Sequence, residues 1–248
     1  MFDLTIKDSD RKWLAEFYPD LKISKSNGTF EITGVLNFRM AFLGEGKPYI
    51  INPPLTQTER ETIKDSYLLK IEFKNSDWSN LPQVYETSTR IERIARDRKL
   101  ELPDLHINKT GTVCLCIQPE EEINLPAGFN LEDFFNNLLI PFFYAQSYFE
   151  KYNSWPWGQY GHGICGLIEW YLKKIDISKS EIEDFLENLK KKNVGWEKTK
   201  VSLHPKVKIK GHHLCICGRE RKYRDCHPEV LHGLWKLKKD IIDYQIKI

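Results

Sequence analysis

Two groups of residues in this chain have side chains suited to chemistry, and the first surrounds Cys114. Residues 105–117 lead through polar, turn-prone positions to Gly111, after which Cys114 lies inside a short apolar run. A thiol at such a turn-to-strand junction can be partly exposed and still be held rigidly, as a nucleophile requires. His106 and Asn108 lie just upstream, where an imidazole could exchange protons and an amide could stabilise an oxyanion. The alternative interpretation is a buried structural cysteine, because free cysteine is among the most buried residue types.

The second group lies near the C-terminus and has the spacing of a metal site. Its candidate ligands follow the pattern Cys-x-Cys-x8-Cys-His and are Cys215, Cys217, Cys226 and His227. Three thiolates and an imidazole suit tetrahedral zinc, and a set with no open position predicts a structural site. Basic residues between the cysteines would offset the negative charge of the thiolates. Three other histidines compete with His227 for the fourth position, namely His212, His213 and His232.

Composition limits the kinds of protein that this sequence can encode. Its 248 residues are 41% hydrophobic and 29% charged, which fits a globular protein with one large domain or one core plus a small module. The net charge of +2 implies no strong attraction to nucleic acid, and no apolar run approaches the ~20 residues of a membrane span. No signal peptide opens the chain, and the clustering of its six cysteines favours catalysis and metal binding over disulfides. We therefore expect a cytoplasmic protein with neither nucleic-acid nor membrane partners.

The elements expected before Cys114 are one helix and a series of strands. Residues 8–20 predict a helix that Asp8 or Ser9 caps and Pro19 ends. The residues expected to face the core from this helix are Trp13, Leu14 and Phe17. Strands are predicted over residues 21–24, 29–43 with a break, 66–74 and 81–86, and Asn27-Gly28 predicts a hairpin turn. A loose connection is expected over residues 44–48 and a polar surface segment over 52–65.

A basic segment, residues 88–101, separates the last of these strands from His106. Its cationic residues are Arg90, Arg93, Arg96, Arg98 and Lys99. Helical spacing favours a solvated helix whose inward residues are Ile91, Ile94 and Ala95. The alternative is a basic docking face that attracts an acidic protein tail to the thiol.

The chain that follows Cys114 is predicted to be mainly helical. Residues 120–128 predict a loop, and Asn130 then caps a long apolar helix with Asp133 in its first turn and a kink at Pro141. Another helix is expected over residues 165–171. His162, just before it, is either a further imidazole near the thiol or a packing histidine.

The C-terminal third has its own start and stop signals. Ser178 and Glu181 form a capping-box pattern that opens a helix reaching Lys192. Residues 193–210 predict a basic linker, and Pro228 opens a terminal helix to about Tyr244.

The order of features around Cys114 resembles the ubiquitin-conjugating enzyme family. A strand meander, a Pro-containing strand, a His-x-Asn element and then Gly-x-x-Cys-Leu at residues 111–115 follow one another within about residues 5–150. The resemblance implies an α+β fold, with an antiparallel meander and flanking helices, and it implies that Cys114 is the nucleophile. His106 would orient the reactants or exchange protons, and Asn108 would stabilise the oxyanion. The family usually has Asn eight residues ahead of the cysteine, whereas here His106 is eight ahead and Asn108 is six ahead.

Residues 211–230 resemble the SEC-C zinc-binding motif, whose fourth ligand is Cys or His. The expected domains are a conjugating-like catalytic domain at residues 1–152, a helical extension at 153–205, and a zinc module with the terminal helix at 206–248. This combination resembles proteins of bacterial antiphage operons.

The resemblance implies a bacterial transferase that forms a thioester between Cys114 and the C-terminus of a protein. The implied donor is a cGAS-like nucleotidyltransferase in CBASS signalling, and the acceptor is a second protein. No glycine-rich nucleotide motif is present in the chain, so the donor must arrive already activated. Two alternatives stay open: conjugation of a bacterial ubiquitin-like protein, and a catalytically inert adaptor that binds a partner through its zinc module.

Overall fold

The structure of the protein is a computed structural model that describes residues 6–26, 28–43, 49–54, 62–74, 81–126, 128–191 and 195–248. The chain divides into two compact units, residues 1–158 and 159–248. The turn residue Asn27, the connection at 44–48 and the predicted helix end at Lys192 lie outside the described residues. The described elements form a mixed α+β protein with an antiparallel sheet, as the sequence predicts. Within these ranges, no helix is both long enough and apolar enough to cross a membrane.

An antiparallel sheet is the centre of the N-terminal unit. Its described strands are β1 (Leu21–Ser26), β2 (Thr29–Phe42), β3 (Tyr49–Ile51), β4 (Thr62–Glu72) and β5 (Gln83–Glu86). They lie in the order β1-β2-β4-β5, and β3 pairs with the end of β2. Alternate residues of β2 are buried, so one face of the sheet covers the core. The residues of β2 on this face include Ile32, Leu36 and Met40, and helical residues such as Phe134 and Phe143 belong to the same core.

Two strand predictions are wrong in the same region of the sheet. The predicted break in the second strand is absent, because β2 runs continuously for 14 residues. Of the predicted surface segment at 52–65, residues 62–65 are strand and residues 55–61 lie outside the described residues, and the unpredicted β3 begins at Tyr49. Pairing explains both results, because the far half of β2 bonds to β3 and to the start of β4. Backbone bonds between segments distant in sequence decide these boundaries, and local residue pattern does not reveal them.

The first helix, α1 (Asp8–Phe17), precedes the sheet and ends before Pro19 as predicted. Its N-cap is Lys7 rather than Asp8 or Ser9. The Lys7 backbone N–H donates to the Asp10 carboxylate at 2.8 Å. Leu14 is buried and Trp13 packs against the core, but Phe17 is 53% exposed, contrary to the prediction. The Phe17 ring lies 5.9 Å from the Trp13 ring between centroids.

The basic segment forms the second helix, α2 (Arg90–Asp97), and buries Ile91, Ile94 and Ala95 as the helical interpretation predicts. A short 3-10 turn, Leu102–Leu105, then leads to His106. The residues after Cys114 form α3 (Gln118–Asn124), so the predicted loop at 120–128 is wrong over most of its length. Pro119 in the first turn of α3 is a helix-start signal that could have revealed it.

One long helical segment closes the N-terminal unit and contains α4 (Leu131–Phe134), a π-helical turn (Phe135–Leu139) and α5 (Ile140–Tyr152). Asn130 is the N-cap, as predicted, and it forms a capping box with Asp133, with bonds of 2.9 and 3.0 Å. The π-helical turn ends at Leu139, two residues before Pro141, which has no N–H to donate. The Asn136 carbonyl in this turn accepts instead from the Tyr49 hydroxyl at 3.1 Å.

The C-terminal unit is helical. Its helices are α6 (Ile164–Leu172), α7 (Lys179–Lys191), α8 (Trp196–Leu203), α9 (Tyr223–Cys226) and α10 (Pro228–Asp243). The Ser178–Glu181 capping box is confirmed, since the Ser178 backbone N–H donates to the Glu181 carboxylate at 2.8 Å. The predicted linker at 193–210 instead contains α8, whose Trp196 and Leu203 are buried. Residues from the predicted extension and from the predicted zinc module contribute to one hydrophobic core.

Candidate functional site

Cys114 lies at the end of a tight hairpin whose turn is residues 108–112. The Gly111 N–H donates to the Asn108 carbonyl at 2.9 Å, and the Asn108 N–H donates to the Thr112 carbonyl at 2.8 Å. Gly111 has a φ of +81°, which is typical of the left-handed residue that closes a three-residue hairpin loop. A Cβ on Gly111 would meet no atom within 4 Å, so backbone conformation, not space, requires glycine here.

The hairpin register places His106 opposite Cys114. Ile107 pairs with Val113 and both are buried, which anchors the hairpin to the core. The Val113 N–H also donates to the Val84 carbonyl of β5 at 2.9 Å. At the next pair of the hairpin, farther from the turn, the Cys114 N–H donates to the His106 carbonyl at 2.7 Å. The eight-residue spacing noted in the sequence is therefore the spacing of a cross-hairpin pair.

The side chains of this pair are also close. A ring nitrogen of His106 lies within 4.8 Å of Cys114 Sγ, and both residues are partly buried. His106 has φ 57° and ψ 38°, a left-handed conformation that histidine adopts more readily than most residues. Its ring packs edge-on against Trp155 at 5.6 Å between centroids. Such contacts restrict the imidazole to the neighbourhood of the thiol.

His106 is supported from behind by α5, and no local sequence pattern indicates this contact. Trp155 stacks on Phe149 at 4.5 Å between ring centroids. The Gln146 side chain donates to the carbonyl of Leu105 at 2.9 Å, and Gln146 is almost fully buried. These two contacts join the backbone and the ring of His106 to the helix.

Asn108 lies on the exposed turn, and its side-chain amide donates to Thr112 Oγ1 at 3.1 Å. Thr112 Oγ1 also bonds to Thr110 Oγ1 at 2.9 Å, so the amide belongs to a small network that stiffens the loop. An amide nitrogen carries two hydrogens, and one is left after the bond to Thr112. The oxyanion role of Asn108 stays a prediction.

The two cysteines of the site differ in their electrostatic environment. Burial, together with the carboxylates of Glu121 and Glu120 and the nearby Cys114, raises the pKa of the Cys116 thiol well above its ordinary value. A raised thiol pKa keeps Cys116 protonated near neutral pH, and the protonated form is a weak nucleophile. Sequence reasoning assigned Glu121 to a loop, whereas the structure buries it on α3.

The cations of the basic segment have two kinds of surroundings. Arg90 forms an ion pair with Asp65 at 2.7 Å, and Arg98 donates to the Phe149 carbonyl at 2.8 Å near the C-terminus of α5. These two arginines hold the fold together. Arg93 and Arg96 are exposed, and the side chain of Arg96 keeps 77% of its accessible surface. Of the arginines in the segment, only this exposed pair has the exposure that a docking face needs.

The four predicted metal ligands come together in the C-terminal unit. The donor atoms of Cys215, Cys217, Cys226 and His227 all lie within 4.8 Å of one another. His227 Nδ1 is 3.4 Å from Cys215 Sγ and 3.2 Å from Cys226 Sγ, and the Sγ atoms of Cys217 and Cys226 are 3.5 Å apart. A tetrahedral zinc with bonds of ~2.3 Å to sulfur and ~2.0 Å to nitrogen has edges of about 3.5–3.8 Å. The cluster can therefore hold a metal ion of that size.

Local backbone structure explains why these four residues meet. Leu214 bridges to Lys222, and the Cys215 N–H donates to the Arg221 carbonyl at 2.8 Å, so the first two cysteines lie on a short hairpin. Cys226 is the last residue of the short helix α9, and His227 follows as the N-cap of α10. The competing histidines lie elsewhere, since His212 and His213 pack on each other and His232 packs on Trp235.

The electrostatics of the cluster suit a cation. A hydrogen bond from Cys165 and others from His227 and Cys217 lower the pKa of the Cys215 thiol despite its burial. Burial and the neighbouring Cys217 raise the pKa of Cys226. The protein alone therefore favours the thiolate form of Cys215 and the protonated form of Cys226. A metal ion that displaces those protons makes its own binding pH-dependent.

His162, the other histidine considered near Cys114, belongs to the C-terminal unit.

No protein-family model, curated protein or solved structure matches this chain.

Proposed function

We propose that this protein is a cysteine-dependent transferase that carries the C-terminal acyl group of a protein as a thioester on Cys114. The observation that carries the proposal is the hairpin register, which pairs His106 with Cys114 and holds an imidazole within 4.8 Å of the thiol. An imidazole at this distance can take the thiol proton directly or through one water molecule. The raised pKa of Cys116 supports Cys114 as the reacting residue of the two.

The chemistry proceeds by two acyl transfers. The Cys114 thiolate attacks the carbonyl carbon of a donor that is already activated as a thioester or adenylate, and the C–S bond forms as the activating group leaves. The imidazolium then loses the thiol proton to solvent. An acceptor amine attacks the same carbonyl, its proton passes to the neutral His106 imidazole, and Cys114 leaves as a thiolate. The Asn108 amide or a backbone N–H would stabilise the oxyanion in both steps.

The proposal extends to a ubiquitin-conjugating-like enzyme by the order of elements in the N-terminal unit. A helix, an antiparallel meander, the hairpin with Cys114 and then further helices follow one another in this unit, and this order supports the proposal. The proposed donor is a cGAS-like nucleotidyltransferase in bacterial antiphage CBASS signalling. A bacterial ubiquitin-like protein is the alternative donor, since either presents a C-terminal carboxylate to the same thiol.

The second candidate function is an inert adaptor, and the engagement of Asn108 with Thr112 is the observation that favours it. If this amide stays in the turn, the site loses one oxyanion donor while the hairpin keeps its shape. An adaptor with this structure would still bind a partner protein but would form no covalent adduct.

The metal proposed for the C-terminal cluster is a structural zinc ion. Cys215, Cys217, Cys226 and His227 would fill all four coordination positions, which leaves none for substrate. When bound, such a metal supplies folding free energy to a small module. Protein purified without chelator should contain one zinc per chain by elemental analysis, and protein without zinc would contradict the proposal.

Transthiolation with a peptide thioester tests the enzymatic function. The probe is a synthetic peptide with the C-terminal sequence of the candidate donor, activated as a mercaptoethanesulfonate thioester. Intact mass spectrometry should show one dithiothreitol-sensitive adduct on the wild type and on Cys116→Ala, and none on Cys114→Ala. An adduct that persists in Cys114→Ala moves the reaction to another thiol, and no adduct on the wild type favours the adaptor. Parallel probes from the nucleotidyltransferase and from the ubiquitin-like protein compare the two donors.

A further inference from the structure

Basic residues are concentrated in one stretch of the C-terminal unit. Residues 198–224 contain nine lysines and arginines and a single carboxylate, Glu220. The net charge of the whole chain, +2, predicts no nucleic-acid partner, but it is a sum in which acidic residues of other segments offset this stretch. A partner responds to the local potential of the surface that it meets, and clustered lysines and arginines are typical of nucleic-acid binding.

The segment 206–210 alternates between solvent and core. Its exposed residues are Lys206, Lys208 and Lys210. Ile209 is buried and Val207 is partly buried. Helix α10 holds the backbone of this segment, because Lys238 Nζ donates to the Val207 carbonyl at 2.5 Å and Trp235 Nε1 donates to the Ile209 carbonyl at 3.2 Å. The three lysines therefore project from a backbone that is fixed to the core.

A short ladder extends this basic surface. The Arg224 N–H donates to the Gly211 carbonyl at 3.0 Å, and Lys222 bridges to Leu214. A Cβ on Gly211 would lie 3.5 Å from Arg224 Cβ, so the two segments are in close contact. Both cations are exposed, and Arg224 pairs weakly with the exposed Asp225 at 3.5 Å. In the part of the chain that the structure describes, the four lysines of the surface form no ion pair, which leaves them available to phosphate groups.

An exposed aromatic side chain lies within the same surface. Trp235 is 46% exposed, although its Nε1 is bonded to the Ile209 carbonyl between Lys208 and Lys210. The exposed His232 packs against the Trp235 ring at 5.3 Å between centroids. An exposed indole beside cations can stack on a nucleobase while the cations contact the phosphates. An acidic peptide or an anionic lipid matches the charge but offers no planar base to the indole.

We propose that this surface, which we call the basic face, binds single-stranded nucleic acid. Its residues are Lys206, Lys208, Lys210, Lys222, Arg224 and Trp235. The cations contact consecutive phosphates, and Trp235 stacks on a base. A single strand fits better than a duplex, because the bases of a duplex are stacked on one another and cannot accept an indole. This binding uses no step of the acyl transfer and is a second activity of the protein.

Fluorescence anisotropy of the full-length chain, purified without chelator, tests the proposal. The probe is a fluorescein-labelled single-stranded RNA about 15 nucleotides long, which spans the site size of common single-strand binders. The lysine variant combines Lys206→Gln, Lys208→Gln and Lys210→Gln. It should bind at least about tenfold more weakly, and the slope of log affinity against log salt should fall by about two, since each phosphate contact with a single strand contributes about 0.7.

A matched control removes the same charge from exposed positions outside the basic face. It combines Lys179→Gln, Lys191→Gln and Lys247→Gln. Its affinity should stay within about twofold of the wild type, because the proposal depends on the position of the lysines and not on net charge. Equal losses in the two triple variants would overturn the proposal, as would a wild type that does not bind the RNA.

Substitutions of Trp235 test the stacking. Trp235→Leu should weaken RNA binding about fivefold or more and leave the salt slope unchanged, because stacking releases no counterions. Trp235→Phe loses the bond to the Ile209 carbonyl but keeps a ring, so it should bind within about threefold of the wild type. Equal losses in both variants would attribute the effect to packing and refute stacking.

Competitors distinguish the kinds of partner. Unlabelled single-stranded RNA should displace the probe more effectively than a duplex of the same sequence, poly-glutamate, or vesicles of phosphatidylcholine and phosphatidylglycerol. Stronger displacement by the duplex refutes the single-strand assignment. Displacement by poly-glutamate or by vesicles at an equal concentration of charge, with Trp235→Leu unaffected, assigns the surface to an acidic protein or to a membrane and overturns the proposal.

Discussion

Replacing Gly111 with alanine tests whether the hairpin holds Cys114 in a reactive geometry. The φ of Gly111 is +81°, and no atom lies within 4 Å of the position that a Cβ would take. Alanine would therefore meet no steric clash, and its cost is that of the left-handed conformation, about 1–2 kcal/mol. In a unit of this size, each kcal/mol lowers the unfolding midpoint by about 2–4 °C, so we expect a decrease of about 2–8 °C.

Gly28 offers a matched control. It lies in the turn between β1 and β2, has the same φ of +81°, and also has no atom within 4 Å of a Cβ. Gly28→Ala should therefore lower the unfolding midpoint by a similar amount. The two variants differ only in which hairpin they strain.

Thioester formation should separate the two variants. In Gly111→Ala, the loop should shift to relieve the strain of the left-handed alanine. This shift disturbs the 2.7 Å hydrogen bond from the Cys114 N–H to the His106 carbonyl, which holds His106 and Cys114 opposite each other. We expect Gly111→Ala to slow acylation of Cys114 by about tenfold or more, and Gly28→Ala to leave the rate within about twofold, since 1.4 kcal/mol corresponds to a factor of ten. Circular dichroism melting and timed intact mass spectrometry give both quantities. Equal rates in the two variants would refute the role of the hairpin, and an unchanged midpoint for Gly111→Ala would refute the strain argument.

The remaining predictions concern reactivity, stability and metal. At pH 8, iodoacetamide should label Cys114 well before Cys116, because burial raises the pKa of the Cys116 thiol. At a pH below the pKa of a thiol, each unit by which that pKa is raised lowers the thiolate fraction about tenfold. The labelling of Cys116 should accelerate as pH rises, and peptide mapping that finds equal rates at pH 8 would contradict this. Arg98→Ala should destabilise the N-terminal unit by about 2 kcal/mol through loss of charged hydrogen bonds near the end of α5, whereas exposed Arg96→Ala should change its stability little; chemical denaturation measures both. Combined substitution of Arg93 and Arg96 by alanine should slow donor capture and reduce its salt dependence if the pair attracts an acidic tail, and an unchanged rate at low and high salt would exclude docking. Chelation of the proposed zinc should unfold the C-terminal unit before the N-terminal one, as hydrogen exchange of the two units would show.

Local chemistry made several features predictable. The N-cap at Asn130, the capping box at Ser178 and the start of α10 at Pro228 depend on residues three or four apart or on a single residue type. The sequence is therefore sufficient to locate them. The inward residues of α2 followed from helical spacing in the same way. The clustering of the four candidate metal ligands was equally predictable, because their cysteine and histidine spacing needs only one hairpin and one helical turn to close.

Features that depend on distant partners were not predictable. The unbroken β2, the early start of β4 and the helix α8 within the predicted linker depend on backbone pairing and on a shared core. The exposure of Phe17 has a similar origin, because an apolar residue on a helix is buried only if another element covers it.

The same division applies to the candidate sites. The sequence by itself determined which residues have the chemistry, namely a thiol after a glycine turn with a histidine eight residues before it, and a four-ligand metal cluster. Only the tertiary structure showed that the eight-residue spacing is a cross-hairpin register, that α5 restrains His106, and that Cys165 of α6 belongs to the same buried core as Cys215. The physical reason is that ligand type and turn chemistry are local properties of the chain. The distance between two side chains, the burial of a thiol and the pKa that follows depend on which distant segments pack around them.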